Sequence, residues 1–339
     1  MSRADPTALL AAAAAMVFVG SSFSASEALA DHPVAEGQGV RYALSVAVLL
    51  AASRGRLPRV SAWVALRLSA LAATGLVAFN AFLIAALQSS DPAAVGVVVG
   101  TVPVVLAVAG PLLERRAVRL RLLGAAVAVA AGAAAVQWAG GSITAAGLGF
   151  ALATLACEAA FSLLAVPLLG SIGPLGVSTW ACLLAVPAFA VWALLDGAPA
   201  APPTETYWAI AFLGVATPAA FLAWYTAVAR LGVERAGLFA GLMPVSALLA
   251  AAALGAGELT PVRVLGAIVV GAGVALGTAR QGAPGGPENG TAWKSRSRPS
   301  SRWSSGRSPA SSPPRSGAAR RSTPTSGRPA STPTSASSR

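Results

Sequence analysis

The sequence predicts an all-α integral membrane protein: ten transmembrane helices arranged as two inverted five-helix repeats, followed by a disordered C-terminal tail. Three observations carry this reading. Of 339 residues, 55% are hydrophobic and only 11% are charged, less than half the roughly 25% charged residues of a soluble domain. The apolar residues gather into stretches near the length of about 20 residues that a helix needs to cross hydrocarbon. A nine-residue pattern also returns once in the second half of the chain.

In chain order the predicted spans are about 8–27, 34–52, 66–87, 93–113, 120–138, 146–168, 174–195, 207–229, 236–256 and 262–279. The first is alanine-rich and follows Arg3, and Ala28-Leu29-Ala30 behind it resembles an A-x-A signal-peptide cleavage site. Cleavage there would leave nine helices and spoil the repeat, so the segment is expected to stay as a span. Polar or Gly/Pro punctuation separates the spans: Asp31-His32-Pro33 after the first, Ser53-Arg54-Gly55-Arg56 after the second, residues 198–203 after the seventh. These connections are too short to house another domain. The expected organisation is a first repeat over 7–138, a second over 146–279 and a tail over 280–339.

Charge placement sets the expected orientation, because cytoplasmic loops collect Lys and Arg. With the N-terminus inside, the inner side receives Arg3, Arg54, Arg56, Arg59, Arg67, Arg115, Arg116, Arg119, Arg121, Arg230 and Arg235, and the outer side only Arg41 and Arg263. Trp63, Trp138, Trp192 and Trp208 fall near span ends, where an aromatic belt belongs. The expectation is a multi-pass protein of the cytoplasmic (inner) membrane with both termini cytoplasmic.

Scarcity excludes much chemistry. One Lys (Lys294, in the tail), one His (His32) and two Cys (Cys157 and Cys182, inside apolar runs) leave no P-loop and no converging metal ligands. No G-x-S-x-G serine elbow occurs. No cofactor and no metal are expected, and the chain is not expected to be an enzyme. The net charge of +12 is also misleading: residues 280–339 hold eleven of the 24 basic residues and one of the 12 acidic ones, a local +10. That tail is rich in Ser, Pro, Arg, Gly and Ala without helical periodicity, as a disordered segment is. It suits contact with anionic lipid and gives no reason to expect a nucleic-acid partner.

The repeat is Gly96-x-x-x-Gly100-x-x-Pro103-Val104 against Gly237-x-x-x-Gly241-x-x-Pro244-Val245. Ala78-Phe79-Asn80-Ala81-Phe82 pairs with Ala220-Phe221-Leu222-Ala223-Trp224 at nearly the same offset, and Glu114 and Gly124 pair with Glu258 and Gly266. Five spans per half are odd, so the second half enters the membrane inverted, as in secondary transporters whose site lies where the halves meet. The glycines are expected to admit a neighbouring backbone, and Pro103 and Pro244 to break a helix where it is buried or borders a cavity.

These residues resemble the EamA-like members of the drug/metabolite transporter superfamily. The resemblance rests on Pro244-Val245-x-Ala247, Gly257-Glu258-Leu259-Thr260, Gly266-Ala267 and Gly273-Val274. A looser echo follows in Pro103-Val104, Glu114-Arg115 and Gly124-Ala125, and Gly20-Ser21-Ser22-Phe23 looks like an early G-S-x-F element. It covers about residues 7–279 and departs from the family where Thr is missing after Glu114. It implies a ten-helix carrier, commonly an exporter of metabolites or small drugs; the tail matches nothing in the family.

Glu158 is the one acidic residue near the middle of a predicted span, at helical spacing with Thr154 and Ser162. A charge at that depth costs roughly 2.5–3.5 kcal/mol on insertion scales and marks a functional candidate, here one suited to proton coupling. The further candidates for substrate binding or coupling are Ser21, Ser22, Asn80, Thr101, Trp224 and Tyr225. The expected function is a secondary transporter moving a small-molecule substrate outward by alternating access with protons. The alternatives are a membrane-embedded transferase of lipid substrates, disfavoured by isolated loop acids, and a membrane scaffold. Substrate identity and oligomeric state are not written in these residues. Deleting the residues after Gln281 is expected to leave transport intact, and a flux assay on the truncated chain that showed lost activity would contradict this.

Overall fold

The computed structural model describes residues 5–27, 33–138, 141–197, 204–253, 255 and 258–279. The A-x-A site, His32 and the tail from residue 280 onward lie outside the described residues.

Every regular element among these residues is helical. In order they are α1 (Pro6–Glu27), α2 (Val34–Ala52), α3 (Ala62–Ala72), a wide π-turn (Ala73–Ala78), α4 (Phe79–Ser89), α5 (Pro92–Val99), α6 (Val102–Leu113) and α7 (Leu120–Gln137). The second half continues with α8 (Ala145–Asp196), α9 (Tyr207–Leu231), α10 (Val233–Gly237), a tight turn (Leu238–Gly241), α11 (Leu242–Ala253) and α12 (Pro261–Thr278). Several run into one another, so that Ala62–Ser89, Pro92–Leu113 and Val233–Ala253 each form one rod.

Seven described helices are long and apolar enough to cross a membrane, against the ten spans expected. The difference has physical causes. Helix α8 counts once but runs for 52 residues and leaves helical geometry at Gly173 (φ 69°), just before Pro174, so it is two rods joined at a bend. In α1 the count reaches only the continuously described Pro6–Ser22, and α2 carries both Glu36 and Arg41.

The exterior of the bundle is apolar. Leu10, Leu66, Val127, Leu152, Val215 and Ile268 are exposed although they lie within helices, an arrangement suited to hydrocarbon rather than water. Trp63, Trp138 and Trp208 are exposed at helix ends, the position of an interfacial belt.

Alternating connections give the bundle two faces. One carries the start of α1, the α2–α3, α6–α7 and α9–α10 connections and the bend of α8; it is called the N-terminal face below. The opposite face carries the start of α2, the α4–α5 and α7–α8 connections and the starts of α9 and α12. Contacts within each face agree with this order. On the N-terminal face Arg230 pairs with Asp5 at 2.8 Å and Trp180 Nε1 donates to the Pro58 carbonyl. On the opposite face Ser142 N–H donates to Asp91 Oδ2 at 2.6 Å. The hydrogen bond from Thr7, and then that from Arg230, hold the Asp5 carboxyl below its usual pKa.

The two halves interlock. Helices α7 and α12 make the most extensive helix pair, and α1 of the first half packs on α9 and α11 of the second. Their antiparallel crossing is set by Gly132 and Gly266. A Cβ on Gly132 would stand 2.7 Å from the Gly266 carbonyl oxygen, and a Cβ on Gly266 would stand 2.7 Å from that of Gly132. The sequence repeat instead matches Gly266 with Gly124, which faces open space. The GxxxG glycines also differ from expectation, since they admit side chains rather than backbone. Gly96 makes room for Gln137, Gly237 for Leu106 and Gly241 for Val129.

Gly132→Ala or Gly266→Ala is therefore expected to destabilise the bundle by about 1–3 kcal/mol, the usual cost of overpacking. Gly124→Ala, a helix-interior change into open space, should be neutral or stabilising. Thermal unfolding of the purified variants in detergent checks the contrast.

Candidate functional site

Both GxxxGxxP rods lose regular α-helical geometry around the second glycine. In the first half α5 ends at Val99 and α6 begins beyond Gly100 and Thr101. In the second a tight turn over Leu238–Gly241 precedes α11. Proline just inside the new helix start costs no hydrogen bond there, which fits Pro103 in α6. Both breaks border a cavity of about 760 Å³ enclosed by the two halves: Gly96, Val99 and Val102 line it from one side, and Ala240, Met243 and Pro244 from the other. Its size suits a drug-sized ligand.

The π-turn of the first half forms another part of the wall. Gly75 in this turn lies against the Phe161 ring, where a Cβ would come within 2.7 Å of it. Asn80, one turn on, donates from Nδ2 to the Leu76 carbonyl and stands beside Tyr42. Such widened turns leave backbone groups without their normal partners and recur at functional sites.

On α8 the expected polar stripe is present but divides in function. Thr154 is buried and donates to the Phe150 carbonyl at 2.9 Å, away from the cavity. Glu158 and Ser162 line the cavity. Ser162 Oγ accepts from Trp224 Nε1 at 3.2 Å, which ties α9 to α8. Glu158 Oε2 is buried with no hydrogen-bond partner among the described residues. Beside it, Phe161 and Phe221 line the cavity with ring centroids 5.0 Å apart.

The remaining sequence candidates separate in the same way. Ser22, Asn80 and Trp224 line the cavity; Ser21, Thr101 and Tyr225 do not. Ser21 and Ser22 both donate to the Phe18 carbonyl, and Thr101 to that of Val98. Tyr225 is fully buried behind the wall, its hydroxyl 3.5 Å from the Phe161 carbonyl. Ser246 joins α11 to α1 through the Met16 carbonyl at the point where Gly20 approaches it.

Five lining residues with polar groups are absent from the sequence candidates: Gln38, Arg41, Tyr42, Gln137 and Arg263. Arg41 Nε donates to Thr217 Oγ1 at 2.5 Å, and its Nη1 reaches Gln38. Gln137 Nε2 donates to the Gly96 carbonyl. Arg41 sits seven residues inside an apolar helix, and that depth is the signal a count of loop charges passes over.

The cavity extends from Glu158 to residues at helix ends of the opposite face, among them Leu87, Pro92 and Arg263. On the N-terminal face the halves are pinned together. Arg116, in the α6–α7 connection, pairs at 2.6 Å with Glu234 of α10 and also with Glu114. Glu234 is only 5% exposed. Its carboxylate, then that of Glu114, raises the Arg116 pKa above its ordinary value. No group of three or more His, Cys, Asp and Glu among the described residues could hold a metal ion.

Comparison with known proteins agrees with this architecture. The EamA-like transporter family matches residues 6–138 and, a second time, 145–278. A crystal structure superposes with a TM-score of 0.69 at 21% sequence identity, over 81% of this chain and 96% of the other, and shows the same fold. No curated protein matches the sequence. Two consecutive matches across nearly all of the described helices establish that the chain belongs to the EamA-like transporter family, as a multi-pass membrane protein.

Proposed function

We propose that the protein is a secondary carrier that exports a small organic solute by alternating access, with Glu158 as the proton-coupling group. The observation that carries this is the cavity between two inverted halves, which reaches one face and is pinned shut at the other by Arg116–Glu234. The ten crossings follow when α8 is counted as two rods and α1 and α2 as spans. In this reading the first repeat ends near residue 138, the second runs over 146–279, and the Arg-rich N-terminal face lies in the cytoplasm. The geometry is then an outward-open state of an inner-membrane protein.

Inward opening requires the Arg116–Glu234 pair to part. Separating a buried carboxylate from its partner is costly, so the pair biases the equilibrium toward the outward-open form. Proton exchange at Glu158 supplies the coupling: a neutral carboxyl crosses between states at lower cost than a charged one. Ser22, Asn80, Ser162 and Trp224 are the proposed binding contacts, while Thr154, Ser21, Thr101 and Tyr225 act behind the wall.

Two measurements test the carrier. In a background lacking Cys157 and Cys182, Met243→Cys should react with a membrane-impermeant maleimide almost only from the Arg263 face. Arg116→Ala should raise labelling from the N-terminal face several-fold, and no change would contradict the latch. For coupling, metabolite profiles of cells with and without the protein identify a transported solute, whose uptake is then measured in proteoliposomes. Glu158→Gln is expected to abolish the response to an imposed pH gradient; an unchanged response would remove proton coupling from the account.

A further inference from the structure

Glu158 is the sole acidic side chain lining the cavity among the described residues. Nothing in the wall answers its charge. Gln137 spends its Nε2 on the Gly96 and Ala133 carbonyls, and Asn80 donates from Nδ2 to Leu76. Of the two arginines that line the cavity, Arg263 at the start of α12 donates to the Glu258 carbonyl, and Arg41 is engaged by Thr217 and Gln38. It also lies at a different depth. Arg41 is seven residues into α2 and Glu158 thirteen into α8. At 1.5 Å rise per residue these are about 10 and about 20 Å from helix starts on the same face. Glu158 Oε2 is left buried and unpartnered, a costly arrangement unless a ligand completes it.

The surroundings define what could complete it. Phe161 follows Glu158 by three residues on α8 and stacks obliquely on Phe221 at 5.0 Å. Trp224, one turn beyond Phe221, is fixed by Ser162, and Phe79 lines the cavity from the first half. Ring faces carry partial negative charge and attract cations, most strongly away from water. A carboxylate amid aromatic rings repels anions. A neutral ligand would leave the carboxylate unpaired, the kind of penalty that separates substrates strongly.

We propose that the inner end of the cavity is a binding site for organic cations. The ligand's ammonium-type group sits at Glu158, and its apolar body lies against Phe79, Phe161, Phe221 and Trp224. The inference rests on the carrier reading and names the class of its substrate.

The test uses the purified full-length protein in detergent and three benzyl probes that differ in charge. They are benzyltrimethylammonium, its uncharged isostere neopentylbenzene and the anion phenylacetate, followed by calorimetry and tryptophan fluorescence. Benzyltrimethylammonium is expected to bind at least tenfold more tightly than either other probe. Glu158→Gln should erase that preference, whereas Glu158→Asp should keep it at reduced affinity. Equal or tighter binding of the neutral or anionic probe to the unmodified protein would overturn the proposal, and that comparison needs no variant to fold. A preference retained in Glu158→Gln would overturn it as well. The labelling of Met243→Cys uses no ligand and separates the two ideas. Face-switching without cation preference overturns this inference alone, and cation preference without face-switching overturns the carrier alone.

Discussion

A polar group in hydrocarbon has to find its partner within the protein, and most of this structure follows from that constraint. Hydroxyls along the helices return to their own backbone: Ser45 to Arg41, Thr74 to Ala70, Thr154 to Phe150, Thr226 to Leu222 and Thr278 to Val274. Trp224 and Ser162 satisfy each other across two helices. Arg41 finds Thr217 and Gln38. Five buried side-chain atoms among the described residues lack a partner, on Arg67, Glu158, Ser178, Glu234 and Arg235, and of these residues only Glu158 lines the cavity. In the proposed carrier, the cavity-lining carboxyl is the one whose missing interaction a ligand completes.

The architecture gives that group a setting. Close backbone approach at Gly132 and Gly266 locks α7 to α12 and leaves the other helices to surround the cavity. The distorted turns of both rods, at Gly100–Thr101 and at Leu238–Gly241, border the cavity. At the N-terminal face Arg116 holds the halves through a carboxylate that is itself nearly buried, which makes the closure strong yet dependent on a single charge pair. In the proposed carrier, the close α7–α12 seam and the Arg116–Glu234 pair are the parts about which the halves rock.

Much of this was legible before any coordinates. The offset repeat joining Gly96–Pro103 to Gly237–Pro244 carried the two-part design, since a proline at fixed spacing from two glycines is hard to reach by chance in Ala-rich helices. Glu158 was legible because a carboxylate within an apolar run has few bland explanations. What the glycines do was not, because packing depends on the partner across the gap. Gly132 is one of many small residues in α7, and only the facing Gly266 gives it meaning. Arg41 and Gln137 were hidden for a related reason. Gln137, the last residue of α7, looks like interfacial polarity, and Arg41 was counted as a loop charge despite its depth in α2. Thr154 and Thr101 show the converse, attractive as spacing but spent on their own backbone.

The central claim is that the two halves rock about the cavity so that it meets each face in turn. Pulsed electron-spin distance measurements on doubly labelled protein in lipid nanodiscs test it most directly. One nitroxide pair would join Leu113 and Leu231 on the N-terminal face, and a second would join Leu87 and Leu259 on the opposite face. The account predicts two populations for each pair, with the distance on one face lengthening as the other shortens when pH or the latch pair is changed. A single unshifted distance on both faces under every condition would contradict it.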